Sequence, residues 1–178
     1  MRWATPSTRQ IAAGVGGTNV QGEVLRPPRV IKFTPGQRET VWEKNCVAIG
    51  LSSGFLEPLE STSIHMIQKG IARLAAIFPT LGIEEADRDE FNRQSDQEYQ
   101  QIRDFIILHY HATERDDSPF WNYCRTMDVP DTLQHKMELF RSNGRIVRED
   151  NELFAELSWL QVMVGQRVMP RGWHPMAS

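Results

Sequence analysis

The stretch from Asn45 to Pro79 constrains the fold most, because strand, loop and helix patterns follow one another there without a break. The short apolar run Cys46–Ile49 ends at Gly50 and predicts a buried strand. A long turn follows, and apolar side chains then recur at intervals of three and four residues, which is the period of a helix. These side chains are Ile64, Ile67, Ile71, Leu74 and Phe78.

Both ends of this predicted helix are marked in the sequence. Ser61, Thr62 or Ser63 can cap its start, and Pro79 ends it. Because the first amides of a helix have no intrahelical partner, they point back towards the end of the strand. The sequence therefore predicts a place at the helix start where an anion or the edge of a flavin can bind.

Composition and charge narrow the class of protein. The 178 residues fall in the usual range for one domain, and a formal net charge of −3 gives no electrostatic reason to expect nucleic-acid binding. No apolar run approaches the roughly 18 residues of a membrane span, and the N-terminus lacks the apolar core of a secretory signal. We therefore expect a cytoplasmic protein without a membrane partner. Cys46 and Cys124 match no metal spacing, so we expect reduced thiols and no metal site.

The chain divides into three predicted regions. Residues 1–29 are crowded with Gly and Pro and show no sustained period, which predicts an unstructured or foreign leader. Residues 30–63 are interpreted as a remnant of a flavin-binding sheet with a halide and flavin loop. In this region we predict a strand at Val30–Phe33, a turn at Thr34–Gln37 and a second strand at Cys46–Ile49.

Residues 64–178 are predicted to form a helical domain. After the helix that starts near residue 64, we predict a short acidic helix at Glu84–Arg93 and an amphipathic helix at Asp96–His111. Three further helices are expected: one opened by Ser118-Pro119, one opened by Pro130 and closed by Asn143-Gly144, and one capped by Asp150 or Asn151 and running to about Gly165. The expected core residues of the last two helices are Leu133, Met137, Phe140, Leu153, Phe154, Leu157 and Met163. The predicted fold is mainly α with a short N-terminal β element.

Four runs of residues resemble the tryptophan halogenase family of flavin-dependent halogenases. They are GLSSGFLEPLESTS at 50–63, FNRQ at 91–94, IRDFIILHY at 102–110 and SPFW at 118–121. The resemblance covers roughly residue 30 to the end, which in the family is the C-terminal portion of a longer protein. It implies a C-terminal fragment of a FAD-monooxygenase-like α/β fold together with its helical substrate-side domain. The N-terminal half, with its Gly-rich FAD loop and catalytic lysine, is then expected to be missing.

The activity that this resemblance implies is the oxidative halogenation of an aromatic substrate such as tryptophan or indole. A family enzyme of this kind is a monooxygenase-like oxidoreductase that uses FADH2, oxygen and a halide such as chloride, with a flavin reductase as the source of FADH2. Since the main phosphate loop is expected to be absent, we predict weak or absent FAD binding and no halogenation by this chain alone. Exposed sheet edges and an uncovered helix face favour a homo-oligomer.

The resemblance also assigns roles to individual residues. They are Glu60 as the catalytic carboxylate, Gly50, Pro58 and Ser61 as flavin contacts, Thr62 and Ser63 as halide contacts, and Phe154 and Trp159 as substrate contacts. At Ser63 the sequence departs from the family, which has glycine there, and serine is strained if the position requires a positive φ. From the residues alone, a capping glutamate and core aromatics remain alternatives.

Two other functions stay open at this point. A non-enzymatic helical binding or dimerisation module is favoured by the intact amphipathic helices and the missing cofactor loop. A truncated, non-functional product is favoured by the leader at 1–29. His109 and His111 alternate on a predicted helix and do not share a face, so joint metal binding is not expected.

Overall fold

A computed structural model describes residues 35–57, 59–80, 82–149 and 151–172. The chain divides into two compact units, Met1–Gly36 and Gln37–Ser178, and almost all of the described residues lie in the second. The predicted leader at 1–29 and the predicted strand Val30–Phe33 lie outside the described residues, as does Pro58. The division into leader, sheet remnant and helical domain stays a prediction.

The strands of the described residues are short. They are β1 (Gly36–Gln37), β2 (Trp42–Glu43), β3 (Cys46–Val47) and β4 (Gly54–Phe55). β1 pairs with β4, and β2 pairs antiparallel with β3 so that Trp42 lies opposite Val47. The strand predicted at 46–49 is confirmed at Cys46 and Val47, but its predicted burial is wrong, because Cys46 is exposed and Val47 only partly buried in this two-stranded hairpin. The turn predicted at 34–37 is wrong at Gln37, because the pairing with β4 holds this residue in an extended strand.

Helices dominate the described part of the chain, which confirms the mainly α prediction. They are α1 (Thr62–Ala76), α2 (Glu85–His111), α3 (Pro119–Thr126), α4 (Asp131–Asn143) and α5 (Glu156–Gly165). None of the helices among the described residues has the length and apolar character needed to cross a membrane. Two predicted helix caps are confirmed. At the start of α3, Ser118 Oγ accepts a hydrogen bond from the Trp121 amide, and α4 ends at Gly144, which has a φ of 73°.

One continuous helix, α2, replaces the two helices predicted between residues 84 and 111. The polar stretch between them stays helical because side chains one turn apart bond to each other. Arg93 donates to Glu90 at 2.7 Å, and Gln94 donates to the same carboxylate at 2.6 Å. Gln100 donates to Asp96 at 2.5 Å. Apolar residues do not recur at helical spacing in this stretch, and hydrogen bonds between polar side chains stabilise the helix instead.

The start of α5 also differs from the prediction. Asn151 has a φ of 65°, outside the helical region, and the helix begins only after Ala155. Tertiary contacts hold the intervening residues in place: Glu152 is buried against Lys136 at 2.6 Å, and the Phe154 ring stacks on Phe105. The predicted cap Asn151 is therefore wrong, and Asp150 lies outside the described residues. Leu157, expected in the core, is exposed.

A small apolar core lies under the β2–β3 hairpin. Val41, Trp42 and Phe91 are buried together, with the ring of Phe91 meeting Trp42 edge to face at 5.5 Å. The Asn92 side chain holds this hairpin on α2, since its Oδ1 accepts from the Val41 and Trp42 amides at 3.0 and 2.8 Å. Its Nδ2 donates to the Trp42 carbonyl oxygen at 3.0 Å. The hairpin is thereby fixed to the helix that carries the remaining core.

A larger core lies among the helices. The fully buried side chains with the largest volume are Trp159, Phe91, Phe105, Phe140, Ile102, Leu108, Leu133 and Met163. The burial of Leu133, Met137 and Phe140 in α4 confirms the face predicted for that helix. Helix α2 contacts each of the other four described helices, α1, α3, α4 and α5. α2 is therefore the element that positions the others.

Candidate functional site

The loop between β3 and α1 starts with a turn that requires glycine. Gly50 has a φ of 68°, in the left-handed region that side chains rarely adopt. A Cβ on this residue would lie 2.8 Å from Cγ1 of Ile67, so the loop passes directly over α1. Ser52 and Ser53 stabilise the turn, because their hydroxyls donate to the carbonyl oxygens of Ile49 and Gly50 at 2.9 and 2.7 Å.

Two tyrosines of α2 hold the middle of the loop. Tyr99 donates its hydroxyl hydrogen to the carbonyl oxygen of Phe55 at 3.2 Å, and Tyr110 donates to Oε1 of Glu57. Burial, followed by the bond to Glu57, raises the pKa of Tyr110 well above its usual range, so this tyrosine stays protonated. The contact with Tyr110 gives Glu57 a structural partner.

The backbone is strained where the loop meets α1. Glu60 has a φ of 64° and Ser61 a φ of 54°, both in the left-handed region that non-glycine residues rarely adopt. Consecutive residues in this conformation are costly and are held only by their surroundings. The strain falls on the predicted catalytic carboxylate and its neighbour. Ser63 is not among the residues with a positive φ, so serine at this position is not strained.

The start of α1 suits an anion. Ser61 occupies the N-cap position but makes no side-chain capping bond, and the first turn contains no acidic residue. Thr62 is buried and Ser63 partly buried, whereas Ser61 and Ile64 on either side are exposed. Backbone amides at a helix start, free of a nearby carboxylate in that turn, are the donors that a halide needs.

Glu60 faces a histidine of α2. Its Oε1 lies 3.6 Å from Nε2 of His109, and its side chain is 47 % exposed. The other ring nitrogen of His109, Nδ1, lies 2.8 Å from the Phe105 carbonyl oxygen, which assigns its hydrogen to Nδ1. Nε2 is therefore the ring nitrogen that faces the carboxylate. At 3.6 Å the two side chains lie within ion-pair distance but are not hydrogen-bonded.

The predicted substrate contacts lie behind this histidine. The Phe105 ring lies against His109 at 4.8 Å, stacks on Phe154 at 3.8 Å and meets Trp159 at 4.9 Å. Phe154 is buried and Trp159 is fully buried, so neither offers an open ring face in this structure. The indole Nε1 of Trp159 has no hydrogen-bond partner among the described residues.

Most of the predicted site residues are thus linked by a series of contacts in the structure. Glu60, Ser61, Thr62 and Ser63 are consecutive, Gly50 lies over α1, and Glu60 is connected through His109 and Phe105 to Phe154 and Trp159. Sequence reasoning missed His109 and Tyr110 as members of the site. The sequence pattern predicts only that both residues lie on a helix. Their partners, Glu60 and Glu57, are about fifty residues away along the chain, and the pattern does not predict these contacts.

Comparisons with known proteins identify the family of this chain. The family model described as tryptophan halogenase matches residues 6–178, including most of the predicted leader at 1–29. Tryptophan 6-halogenase ThaL from Streptomyces albogriseolus is 30% identical over 155 residues, which cover 79% of this chain and 29% of that protein. Tryptophan 7-halogenase RebH from Lentzea aerocolonigenes is 34% identical over 68% of this chain and 23% of its own length.

Solved structures show the same relationship at higher identity. Xcc4156, a flavin-dependent halogenase from Xanthomonas campestris, superimposes with a TM-score of 0.86 at 57% identity over 95% of this chain and 34% of that one. BrvH, a flavin-dependent halogenase from Brevundimonas sp. BAL3, superimposes with a TM-score of 0.81 at 50% identity over 85% of this chain and 31% of that one. The chain spans about a third or less of the relatives that it matches.

Proposed function

The chain belongs to the tryptophan halogenase family, and from that premise we propose that it supplies the carboxylate and halide wall of a flavin-dependent halogenation site. The observation that carries the proposal is the position of Glu60. This residue lies on a strained left-handed turn, directly before the uncapped start of α1, and its carboxylate faces His109. Strain of this kind is typical of functional sites.

The halide is held by the start of α1 in this proposal. The backbone amides of Thr62 and Ser63 donate to it, and the absence of an acidic residue from the first turn removes a source of repulsion. The Glu60 side chain is 47 % exposed, so water screens its charge. The two anions, carboxylate and halide, can then be neighbours at modest electrostatic cost.

Flavin contacts are assigned to Gly50 and Ser61, and from the sequence alone to Pro58. Gly50 lies at the strand end, where its lack of a side chain lets the backbone pass close to Ile67. The reduced flavin, when bound, would activate molecular oxygen, and oxygen is the oxidant that turns halide into an electrophile. This chain supplies only part of the flavin contacts, which supports the proposal that it binds FAD weakly or not at all when alone.

The proposed role of Glu60 is to take the proton that leaves the substrate ring when a halogen is added. A partly exposed carboxylate such as Glu60 can accept that proton. The substrate is an aromatic small molecule of the tryptophan or indole class. Phe154 and Trp159, proposed from the sequence as its contacts, are buried against Phe105 and pack behind the site in this structure. In the assembled enzyme a flavin reductase provides FADH2.

A chimera tests this proposal. The matching segment of the Xanthomonas campestris halogenase, which is 57% identical, is replaced by this chain, and product formation from indole, chloride and FADH2 is measured. We expect the chimera to retain FAD absorbance and to halogenate, whereas the isolated chain does neither. A folded chimera that binds FAD without halogenating would contradict the assignment of this segment to the site.

A second candidate, a helical binding or dimerisation module, is favoured by one specific observation. The apolar residues Ile64, Ile67, Ile71 and Phe78 of α1 and its end are exposed to solvent. Faces of this kind mark interaction sites. Sedimentation of the purified chain over a hundredfold concentration range tests the idea, since a module of this kind predicts a concentration-dependent dimer.

A further inference from the structure

A cavity outside the halogenation site carries an unbalanced positive charge. It has a volume of about 550 Å³ and lies between the C-terminal ends of α3 and α4 and the segment that follows α5. Arginines line it from all three of these elements: Arg125, Arg141, Arg167 and Arg171. Among the residues that the structure describes, no aspartate or glutamate lines this cavity. The charge of its wall is therefore of one sign.

Ion pairs within the described residues neutralise little of this charge. Arg167 pairs with Glu114 at 2.7 Å, but both side chains are more than half exposed, and surface pairs of this kind hold a guanidinium only weakly. Arg125 bonds to the neutral Oδ1 of Asn122 at 3.1 Å. For Arg141 and Arg171, no carboxylate lies within ion-pair distance in the described part of the chain.

The helix dipole accounts for the position of only two of the four arginines that line this cavity. Arg125 and Arg141 lie in the last turns of α3 and α4, where the helix dipole favours a cation without any ligand. Arg167 and Arg171 belong to no helix. Arg167 has a φ of 60°, an uncommon conformation for a residue with a side chain, and the amide of Arg171 donates to the Arg141 carbonyl oxygen at 2.8 Å. This segment is therefore fixed against the end of α4.

A second cavity of similar size provides a contrast. It has a volume of about 470 Å³ and is lined by Arg73 and Arg93, but both arginines are paired, with Glu98 at 2.8 Å and with Glu90 at 2.7 Å. Glu98 also lines that cavity. The arginines of this second cavity are thus paired with carboxylates, whereas, in the described ranges, Arg141 and Arg171 of the first cavity are not.

We propose that the cavity lined by Arg125, Arg141, Arg167 and Arg171 binds a small phosphate-bearing ligand with two or more negative charges. Guanidinium groups match the geometry of phosphate oxygens and bind them through paired hydrogen bonds. The volume lies within the range of small-molecule sites and leaves room for a diphosphate or a nucleotide. The proposal does not depend on the halogenation site, and no residue is shared with it.

Calorimetric titration of the full chain with sodium pyrophosphate, at an ionic strength held constant with sodium chloride, tests this proposal. We expect saturable binding with one site per chain. The double variant Arg141→Gln/Arg171→Gln is expected to weaken binding roughly tenfold or more, because each guanidinium contributes charged hydrogen bonds. A parallel titration with ADP distinguishes a free diphosphate from a nucleotide, since a nucleotide ligand predicts tighter binding of ADP than of pyrophosphate.

The control variant Arg88→Gln removes one positive charge, where the double variant removes two, at a residue of α2 that does not line the cavity. It is expected to leave the affinity unchanged, and thermal melting without ligand checks that all variants are folded. Absence of saturable pyrophosphate binding to the unaltered chain overturns the proposal. An equal loss of affinity in Arg88→Gln also overturns it, because net charge and not this cavity would then account for binding.

Discussion

Helices α1 and α2 both carry an apolar stripe at helical spacing, but the two stripes have opposite environments. In α2, Ile102 is 0 % exposed and the stripe forms the centre of the helical core. In α1, Ile64 is 66 % exposed, and the residues of α1 that are buried are Thr62 and Gly70. A period of three and four therefore predicts the helix and its apolar face, but not whether this chain itself covers that face.

The difference follows from what each helix packs against. α2 contacts four other helices, whereas α1 is held by its N-terminal end, by the loop over Gly50 and by a close contact of Gly70 with Ile49. A Cβ at Gly70 would lie 3.2 Å from Cγ2 of Ile49. α1 thus joins the molecule through Gly70, through the Arg73–Glu98 ion pair and through Leu74, which packs on the core under the hairpin. Ile64 and Ile71 of the same helix face outward.

The largest effect is expected from truncation of the α2-centred core. Trp159→Ala removes a fully buried indole that packs on Phe105, and we expect the free energy of unfolding to fall by about 3 to 5 kcal/mol. Urea denaturation followed by circular dichroism measures this change. The matched truncation Ile71→Ala on the exposed face of α1 is expected to change it by less than about 0.5 kcal/mol. Equal effects would show that the two stripes do not differ.

The ion pair that links the two helices is expected to come next. Arg73 of α1 and Glu98 of α2 lie 2.8 Å apart, with side chains that are only 12% and 11% exposed. Arg73→Met leaves the partly buried carboxylate with His65, at 3.3 Å, as its remaining ionisable partner, and we expect a loss of about 3 kcal/mol in denaturation experiments. Arg93→Met, which breaks the exposed pair with Glu90, is the control and should cost less than about 1 kcal/mol.

The turn that carries the loop over α1 gives a smaller effect. Gly50→Ala places a side chain on a left-handed residue and against Ile67, so we expect a loss of about 1 to 3 kcal/mol. In Gly165→Ala nothing lies within 4 Å of the new methyl group, and this variant should be neutral or slightly more stable. Thermal melts of the two variants compare them directly. A neutral Gly50→Ala would mean that the loop is not fixed where the structure places it.

The smallest effect concerns the bond between the loop and Tyr99 at high pH. Burial raises the pKa of Tyr99 from 10.0 to about 12. A raised pKa in the folded state stabilises the fold below the pKa of the unfolded state, and this contribution is lost as pH rises from about 10 to about 12. Absorbance at 295 nm, compared with Tyr99→Phe, measures the titration. A Tyr99 that ionises near pH 10 contradicts its burial against the loop.

Much of the fold was accessible from the sequence where local patterns agree with tertiary packing. The period from Ile64 predicts α1, and cap residues predict α3 and the end of α4 at Gly144. The start of α5 could not be predicted, because the burial of Glu152 and the stacking of Phe154 on Phe105 override a local capping signal at Asn151. The continuity of α2 depends on polar pairs that a hydrophobic period does not register.

The candidate site was accessible only in part, for the same reason. The run at 50–63 indicates the loop, the helix start and Glu60, because these lie together along the chain. The contacts of Glu60 with His109 and of Glu57 with Tyr110 depend on the docking of this loop on α2. The position of His109 within the helical pattern therefore does not predict its contact with Glu60.

The measurement that tests the central claim most directly compares Glu60→Gln with Glu57→Gln in the chimera with the Xanthomonas campestris halogenase. Both changes remove one loop carboxylate, but only Glu60 lies on the strained turn before α1 and faces His109. We predict that Glu60→Gln lowers the rate of indole halogenation roughly 100-fold or more with FAD binding unchanged, whereas Glu57→Gln lowers it less than about tenfold. Equal rates for Glu60→Gln and the unaltered chimera would contradict the assignment of the catalytic carboxylate.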